Sequence, residues 1–282
     1  MARAVAVITD STAGLSEGQL AGIGVVPLTV TVGGRSGVEG VDVTPADVAR
    51  ALGERRISVV TSRPSPTELS AAYRAALDDG AEAVVAIHLS SRLSGTYSSA
   101  VAASKEFGAG VVSVVDSGST AMGLGFPVRA AAAVALDGGD ATAVRAAAEV
   151  AVRQTTTLFY VDTLEYLRRG GRIGAAAALV GTALAVKPIL RIDTGGVTLA
   201  ERVRTSARGL ARLEALAIEQ AGDRTPVNIA VQHLAAPERA ETLAARLADH
   251  LPGIKELLIT EVGAVIGAHV GPGVVGVVIS PC

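Results

Sequence analysis

Hydrophobic positions in this chain fall in short runs whose spacing alternates between a period of two and one near 3.6, with polar residues and glycines between them. AVAVIT (4–9) reads as a strand running into the polar cluster DSTAG (10–14). VVPLTVTV (25–32) and the stretch around Gly33–Val41 read as a hairpin that turns at Gly33-Gly34. TPADVARAL (44–52) predicts a helix with Thr44 as N-cap and Pro45 at the first helical position. Then follow a strand at 57–62, a helix at 66–77, a strand at 83–89 and a helix from about Ser94. A strand at 111–116 and a helix through 121–136 complete this half. The alternation predicts the α/β class, with a mainly parallel sheet and helices on both of its faces.

The second half has another rhythm. A helix over 140–154 runs toward a domain junction, and TTLFYVD (156–162) predicts a strand. The stretch 163–184 begins as a helix, breaks at Gly170-Gly171 and resumes. VKPILRID (186–193) and VTLAERVRT (197–205) form a predicted hairpin around Gly195-Gly196. A helix to about Gln220, the strand VNIAVQHL, a helix from Pro237 to about His250 and C-terminal strands follow. Residues 262–280 are almost uncharged and about a membrane span long. Their glycines, proline and histidine favour two buried strands joined by a turn instead. The expected domains are 1–160, α/β with the parallel sheet, and 161–282, smaller and α/β with a mixed or antiparallel sheet.

Composition narrows the function classes. The 282 residues are 49% hydrophobic and 18% charged, with no tryptophan and three phenylalanines, so a cavity would be walled by small aliphatic groups. A net charge of −2 provides no basic field for nucleic acid or an anionic membrane. The lone cysteine, Cys282, rules out an internal disulfide and a thiolate metal site, which fits a reducing cytosol. MARAVAVITD meets an aspartate before a signal-length apolar core forms.

Polar clusters recur after the predicted strands: DSTAG (10–14), TSRPSP (61–66), SSRLSGT (90–96) and DSGST (116–120). The carboxyl edge of an open α/β sheet is where ligands bind, and all four clusters are expected there. Ser94 lacks the flanking glycines of a nucleophile elbow, having Arg92 two before it and Thr96 two after it. No phosphate-loop pattern follows a strand, and His88, His233, His250 and His269 have no metal-ligand spacing. Hydroxyls and free N–H groups at helix starts can instead cradle an anion. Thr61 and Ser94 stand at equivalent points after two strands, where they either converge on one head group or cap their own helices. Both readings fit the residues.

The motifs DSTAGLS (10–16), TSRPSP (61–66), LSGTYSSA (93–100), VDSGSTAMGLG (115–125), LEYLRRGGRIG (164–174), KPIL (187–190), VRTSARGL (203–210) and HVGPG (269–273) occur in one order across the chain. In that order they resemble the DegV family. The resemblance implies a fatty-acid-binding protein that is not itself an enzyme, with two α/β domains and a ligand tunnel between them. The first domain would carry the head-group site and the second would close over the tail. It implies a cytoplasmic carrier that presents the acid to a separate dihydroxyacetone-kinase-like fatty acid kinase. The acyl-phosphate formed would then enter phospholipid synthesis. No cofactor is implied beyond a bound long-chain acid such as palmitate or oleate. By motif, Thr61 and Ser94 would bond the carboxylate, with Ser62 and Thr96 beside them. Gly95 would add an N–H, and His269 would polarise the hydroxyls. Arg172 and Arg204 would meet the acyl-phosphate or the kinase. Arg63 stands where the family commonly has glutamine. Burying a C16 tail gives about 12 kcal/mol gross, at ~0.8 kcal/mol per CH₂, so head-group bonds need only orient the ligand. The alternatives are an esterase or phosphotransferase using Ser94, and a regulatory binder of another apolar molecule.

Overall fold

The computed structural model describes residues 4–54, 57–179, 187–222, 224 and 226–282. In chain order the elements begin with β1 (Val5–Asp10), β2 (Ile23–Val26), β3 (Thr29–Val32), β4 (Arg35–Val38), α1 (Pro45–Gly53) and β5 (Val59–Ser62). Next come α2 (Pro66–Asp78), β6 (Ala83–His88), α3 (Thr96–Ser104), β7 (Val112–Asp116), α4 (Met122–Leu136) and α5 (Ala141–Gln154). Then follow β8 (Thr156–Tyr160), α6 (Glu165–Arg169), β9 (Lys187–Asp193), β10 (Gly196–Val203) and α7 (Ser206–Ala221). The last are β11 (Val227–His233), α8 (Pro237–His250), β12 (Ile254–Glu261), α9 (Ala264–Val270) and β13 (Val275–Pro281).

The chain divides into two compact units. The first comprises Met1–Thr29 and Ser62–Gln154, the second Val30–Thr61 and Thr155–Cys282. The first holds a parallel sheet in the order β2-β1-β6-β7. Its strands alternate faces as the period of two requires. Val5, Val7, Val85 and Ile87 pack with Leu124 and Val128 of α4 and with Val144 and Ala148 of α5. Ile8, Val84 and Ala86 pack with Leu69 and Tyr73 of α2 and Ala100 and Ala103 of α3. Helices therefore cover both faces, as the hydrophobic pattern predicts.

The second unit has a mixed sheet in the order β10-β9-β8-β13-β11-β12, antiparallel except for β11 beside β12. Leu213 and Ala217 of α7 and Leu243 and Leu247 of α8 bury against Tyr160, Ile189, Ile229, Val231 and Val277. A three-stranded sheet in the order β4-β3-β5 accompanies it. Its hairpin turns at Gly33 and Gly34, where φ of 58° and 86° suits residues without a Cβ.

Three expectations change. The boundary placed at residue 160 leaves 30–61 in the first domain, whereas that segment groups with the C-terminal half. The hairpin pairs with β5 rather than with the parallel sheet, and α1 packs on α9. Residues 262–280 form one helix and one strand, not two strands. Ala264, Gly267 and Ala268 are small enough for α9 to lie close; a Cβ on Gly267 would stand 3.0 Å from Leu234 and 3.7 Å from Val48 of α1. β13 takes the centre of the mixed sheet, between β8 and β11. The helix expected to resume after Gly171 appears as a 3₁₀ stretch over Gly174–Leu179, and residues 180–184 lie outside those described. No helix among the described residues is long and apolar enough to cross a membrane.

Candidate functional site

Three of the four polar clusters follow strands of the parallel sheet: DSTAG after β1, SSRLSGT after β6 and DSGST after β7. TSRPSP follows β5 of the small sheet, so it does not share that edge. Carboxylates and backbone groups on the edge hold the loops to one another, while most of its hydroxyls bond within their own loops. Asp10 is fully buried and accepts from Thr12 N, the Thr12 hydroxyl and Leu89 N, and it lies 3.0 Å from His88 Nδ1. His88 Nε2 is 3.3 Å from the Tyr73 hydroxyl. Asp116 accepts from Ser91 N and Gly118 N, and Ser90 N donates to Ser119 O. These bonds satisfy buried backbone groups and fix where the loop after β6 begins.

Ser94 stands at the end of that loop, half-buried. Its Oγ is 2.9 Å from Thr96 Oγ1 and accepts from Thr96 N at 3.3 Å. Thr96 is fully buried, and Gly95 is the N-cap of α3. Ser94 therefore does cap the turn into α3, while its hydroxyl proton can serve either Thr96 or a ligand. The hydrogen-bond partners of Ser94 Oγ are both on Thr96, with no histidine among them. His88 is engaged with Asp10 and Tyr73.

In the second unit, Thr61 and His269 meet across 208 residues of sequence, with Oγ1 and Nε2 2.9 Å apart. Thr61 is half-buried in β5, and His269 lies in the last turn of α9. The start of α9 is fixed by Glu39, whose carboxylate accepts from Val265 N at 2.7 Å. Burial, and secondarily the positive charge of Arg172, lowers the pKa of His269 to about 4. The ring is therefore neutral at pH 7. Its Nδ1 is buried without a hydrogen-bond partner among the described residues and faces Gly170, where a Cβ would fall on that nitrogen. A proton on Nδ1 would be an unpaired buried donor close to a cation, whereas a lone pair is favoured by that charge. The proton accordingly sits on Nε2 and is donated to Thr61. The hydroxyl hydrogen of Thr61 is then available to an acceptor from outside.

The other sequence candidates divide. Arg172 donates to Gly170 O and is half-buried in the surroundings of His269. Arg204 is exposed on the turn between β10 and α7. Ser62 is exposed at the end of β5. Several motif residues do scaffold work instead. Lys187 of KPIL, Ser206 of VRTSARGL, Tyr160 and Arg239 converge on Asp162, and Arg239 also reaches Gly273 O of HVGPG. Burial alone would raise the Asp162 pKa, but the hydrogen bonds from Tyr160 and Arg239 and the two cations hold it below the usual range. Sequence reasoning missed Glu39 and took Asp10 only as part of DSTAG, without its partners. Neither sits in a spacing that reveals its partner, because both act through contacts distant in the chain.

The family model described as uncharacterised protein, DegV family, matches residues 4–282. The chain belongs to the DegV family. A DegV domain-containing protein of Streptomyces coelicolor is 51% identical over 282 residues, covering 99% of each chain. One from Mycobacterium tuberculosis is 42% identical over 253 residues, covering 89% of this chain and 88% of that one. Among solved structures, a DegV family protein from Thermus thermophilus, described for its fatty acid binding, superposes with a TM-score of 0.94. It shares 33% identity, over 99% of this chain and 100% of that one. DegV from Bacillus subtilis, described as a fatty acid binding protein, gives a TM-score of 0.89 and 31% identity over the same shares. The mixed α/β architecture seen here is that of these DegV neighbours.

Proposed function

We propose that this protein binds a long-chain fatty acid, palmitate or oleate in kind, and carries it without acting on it. The carboxylate is taken by hydroxyl and backbone donors: Thr61 with His269 behind it, and Ser94 with Gly95 and Thr96. The observation that carries the reading is the 2.9 Å contact between Thr61 Oγ1 and His269 Nε2, with Nδ1 buried and unpartnered among the described residues; a neutral ring in that geometry leaves the Thr61 hydroxyl hydrogen free for an acceptor. A neutral donor set holds a carboxylate without trapping it in a tight ion pair, which suits a ligand that must be released. The DegV structures from Thermus thermophilus and Bacillus subtilis are described as binding fatty acids, which supports the ligand class. The tail is buried among small aliphatic side chains. In a direct test, delipidated protein is incubated with radiolabelled oleate and the bound fraction is separated by gel filtration. Near-stoichiometric retention is expected; none, with oleate or palmitate, would refute the reading.

The finer reading is that the loaded protein is cytoplasmic and presents its ligand to a dihydroxyacetone-kinase-like fatty acid kinase, for acyl-phosphate used in phospholipid synthesis. It draws on the family resemblance, on Arg172 near His269 and on the exposed Arg204. Adding such a kinase and ATP to oleate-loaded protein should give acyl-phosphate, trapped as the hydroxamate. Absence of hydroxamate with an active kinase would leave a binding protein without this partner.

A further inference from the structure

Arg63 is a charged group that the proposed function leaves unused. Its side chain is exposed and folds over Gly95 within the first unit; a Cβ built on Gly95 would stand 2.8 Å from Arg63 Cζ and 2.9 Å from its Cδ. The missing side chain at residue 95 is what lets the guanidinium lie on the loop that carries Ser94. Among the described residues Arg63 has no carboxylate within ion-pair distance and no hydrogen-bond acceptor. By contrast, Arg50, Arg145, Arg168, Arg169, Arg212, Arg239 and Arg246 are each paired with an acid. A permanently charged fork thus rests, without a counter-ion, against a backbone turn whose neighbours are the hydroxyls of Ser94 and Thr96.

We infer that Arg63 is a specificity-determining residue: it supplies the counter-charge that makes this protein prefer an ionised acyl head group over a neutral one. The inference rests on the fatty-acid reading above and deepens it. The donors around Ser94 are neutral and bond an alcohol or an ester carbonyl as well as an acid, though less strongly than a carboxylate. A guanidinium adds attraction only for an anion, and most strongly for a planar carboxylate or a phosphate. Because the group is exposed, its attraction must weaken as added salt shortens the screening length.

The test compares wild type with Arg63→Gln, which keeps a polar side chain of moderate length and removes the charge. Binding of oleate and of oleyl alcohol to delipidated protein is measured by calorimetry at low salt and at about 0.5 M salt, where the screening length falls below about 5 Å. The expected result is a loss of about three- to tenfold in oleate affinity at low salt. Oleyl alcohol affinity should be unchanged, the oleate loss should largely vanish at high salt, and the melting temperature should stay the same. Unchanged oleate affinity at low salt would overturn the inference. So would an equal loss for acid and alcohol, which would make Arg63 a packing residue only. A wild type that binds neither ligand would bring down the fatty-acid reading and this inference with it. That outcome is distinct from wild-type binding with an indifferent variant.

Discussion

Thr61→Val isolates the head-group chemistry, because it keeps the shape of the side chain and removes only the hydroxyl. In the wild type that oxygen accepts from His269 Nε2 at 2.9 Å and keeps its own hydrogen for the ligand. The variant deprives a bound carboxylate of one donor. A hydrogen bond to a charged group contributes about 1.5–3 kcal/mol. At roughly 1.4 kcal/mol per decade, the oleate Kd should rise about ten- to a hundredfold. Stability should fall as well, by about 1–3 kcal/mol, because Nε2–H loses its partner at a largely buried position. The assay is calorimetric titration of delipidated wild type and variant with oleate and with oleyl alcohol, well below the unfolding temperature. The tail contributes equally to both ligands, so the ratio of the two losses reports the head group alone. The acid should lose clearly more than the alcohol. Unchanged oleate binding, or an equal loss for both ligands, would refute the assignment of Thr61.

Other substitutions test the neighbouring parts of the account. Ser94→Ala should weaken oleate loading by about 1–2 kcal/mol and lower the melting temperature slightly, since the same oxygen caps the turn at Thr96 N. Loss of stability without loss of loading would leave Ser94 as a cap only. Gly170→Ala would place a methyl on His269 Nδ1 and push the ring from Thr61. It should reproduce the acid-selective defect of Thr61→Val; normal oleate binding would show that the ring position does not matter. His269 has a folded-state pKa of about 4, against 6.5 for the free side chain, so as pH falls the unfolded chain takes the proton first. Its contribution to stability is then level above pH 6.5 and declines between about 6.5 and 4, by roughly 3 kcal/mol in all. Melting temperatures of wild type and His269→Asn across that window should converge as pH falls. Parallel curves would contradict a buried, neutral ring.

How far the sequence carries can be judged from particular residues. The near-continuous apolar runs at β1, β6 and β7 reveal the parallel sheet, because strands covered on both faces must be apolar along their length. Thr44 and Pro45 mark the start of α1 by local chemistry alone, and the Thr44 hydroxyl does accept from Asp47 N. Thr61 and Ser94 stood out because hydroxyls after strands are legible as either caps or ligands. Ser94 proves to cap its turn, and Thr61 bonds His269 instead. What stayed hidden depends on distant partners. The segment 30–61 joins the C-terminal half through pairing and packing that no local pattern encodes. The run 264–270 is short and apolar enough to suit helix or strand, and what favours the helix is Glu39, more than two hundred residues earlier in the chain, bonding Val265 N. The neutral state of His269 depends on burial and, secondarily, on Arg172, which only the folded chain brings to it.

A protein that carries a fatty acid should report its own ligand when purified. Denaturing solvent extraction followed by mass spectrometry of the extract reads this directly. Near-stoichiometric long-chain fatty acid is expected, and its length and unsaturation would define the tail. An extract empty of fatty acid, from protein that also fails to take up added palmitate or oleate, would contradict the fatty-acid reading.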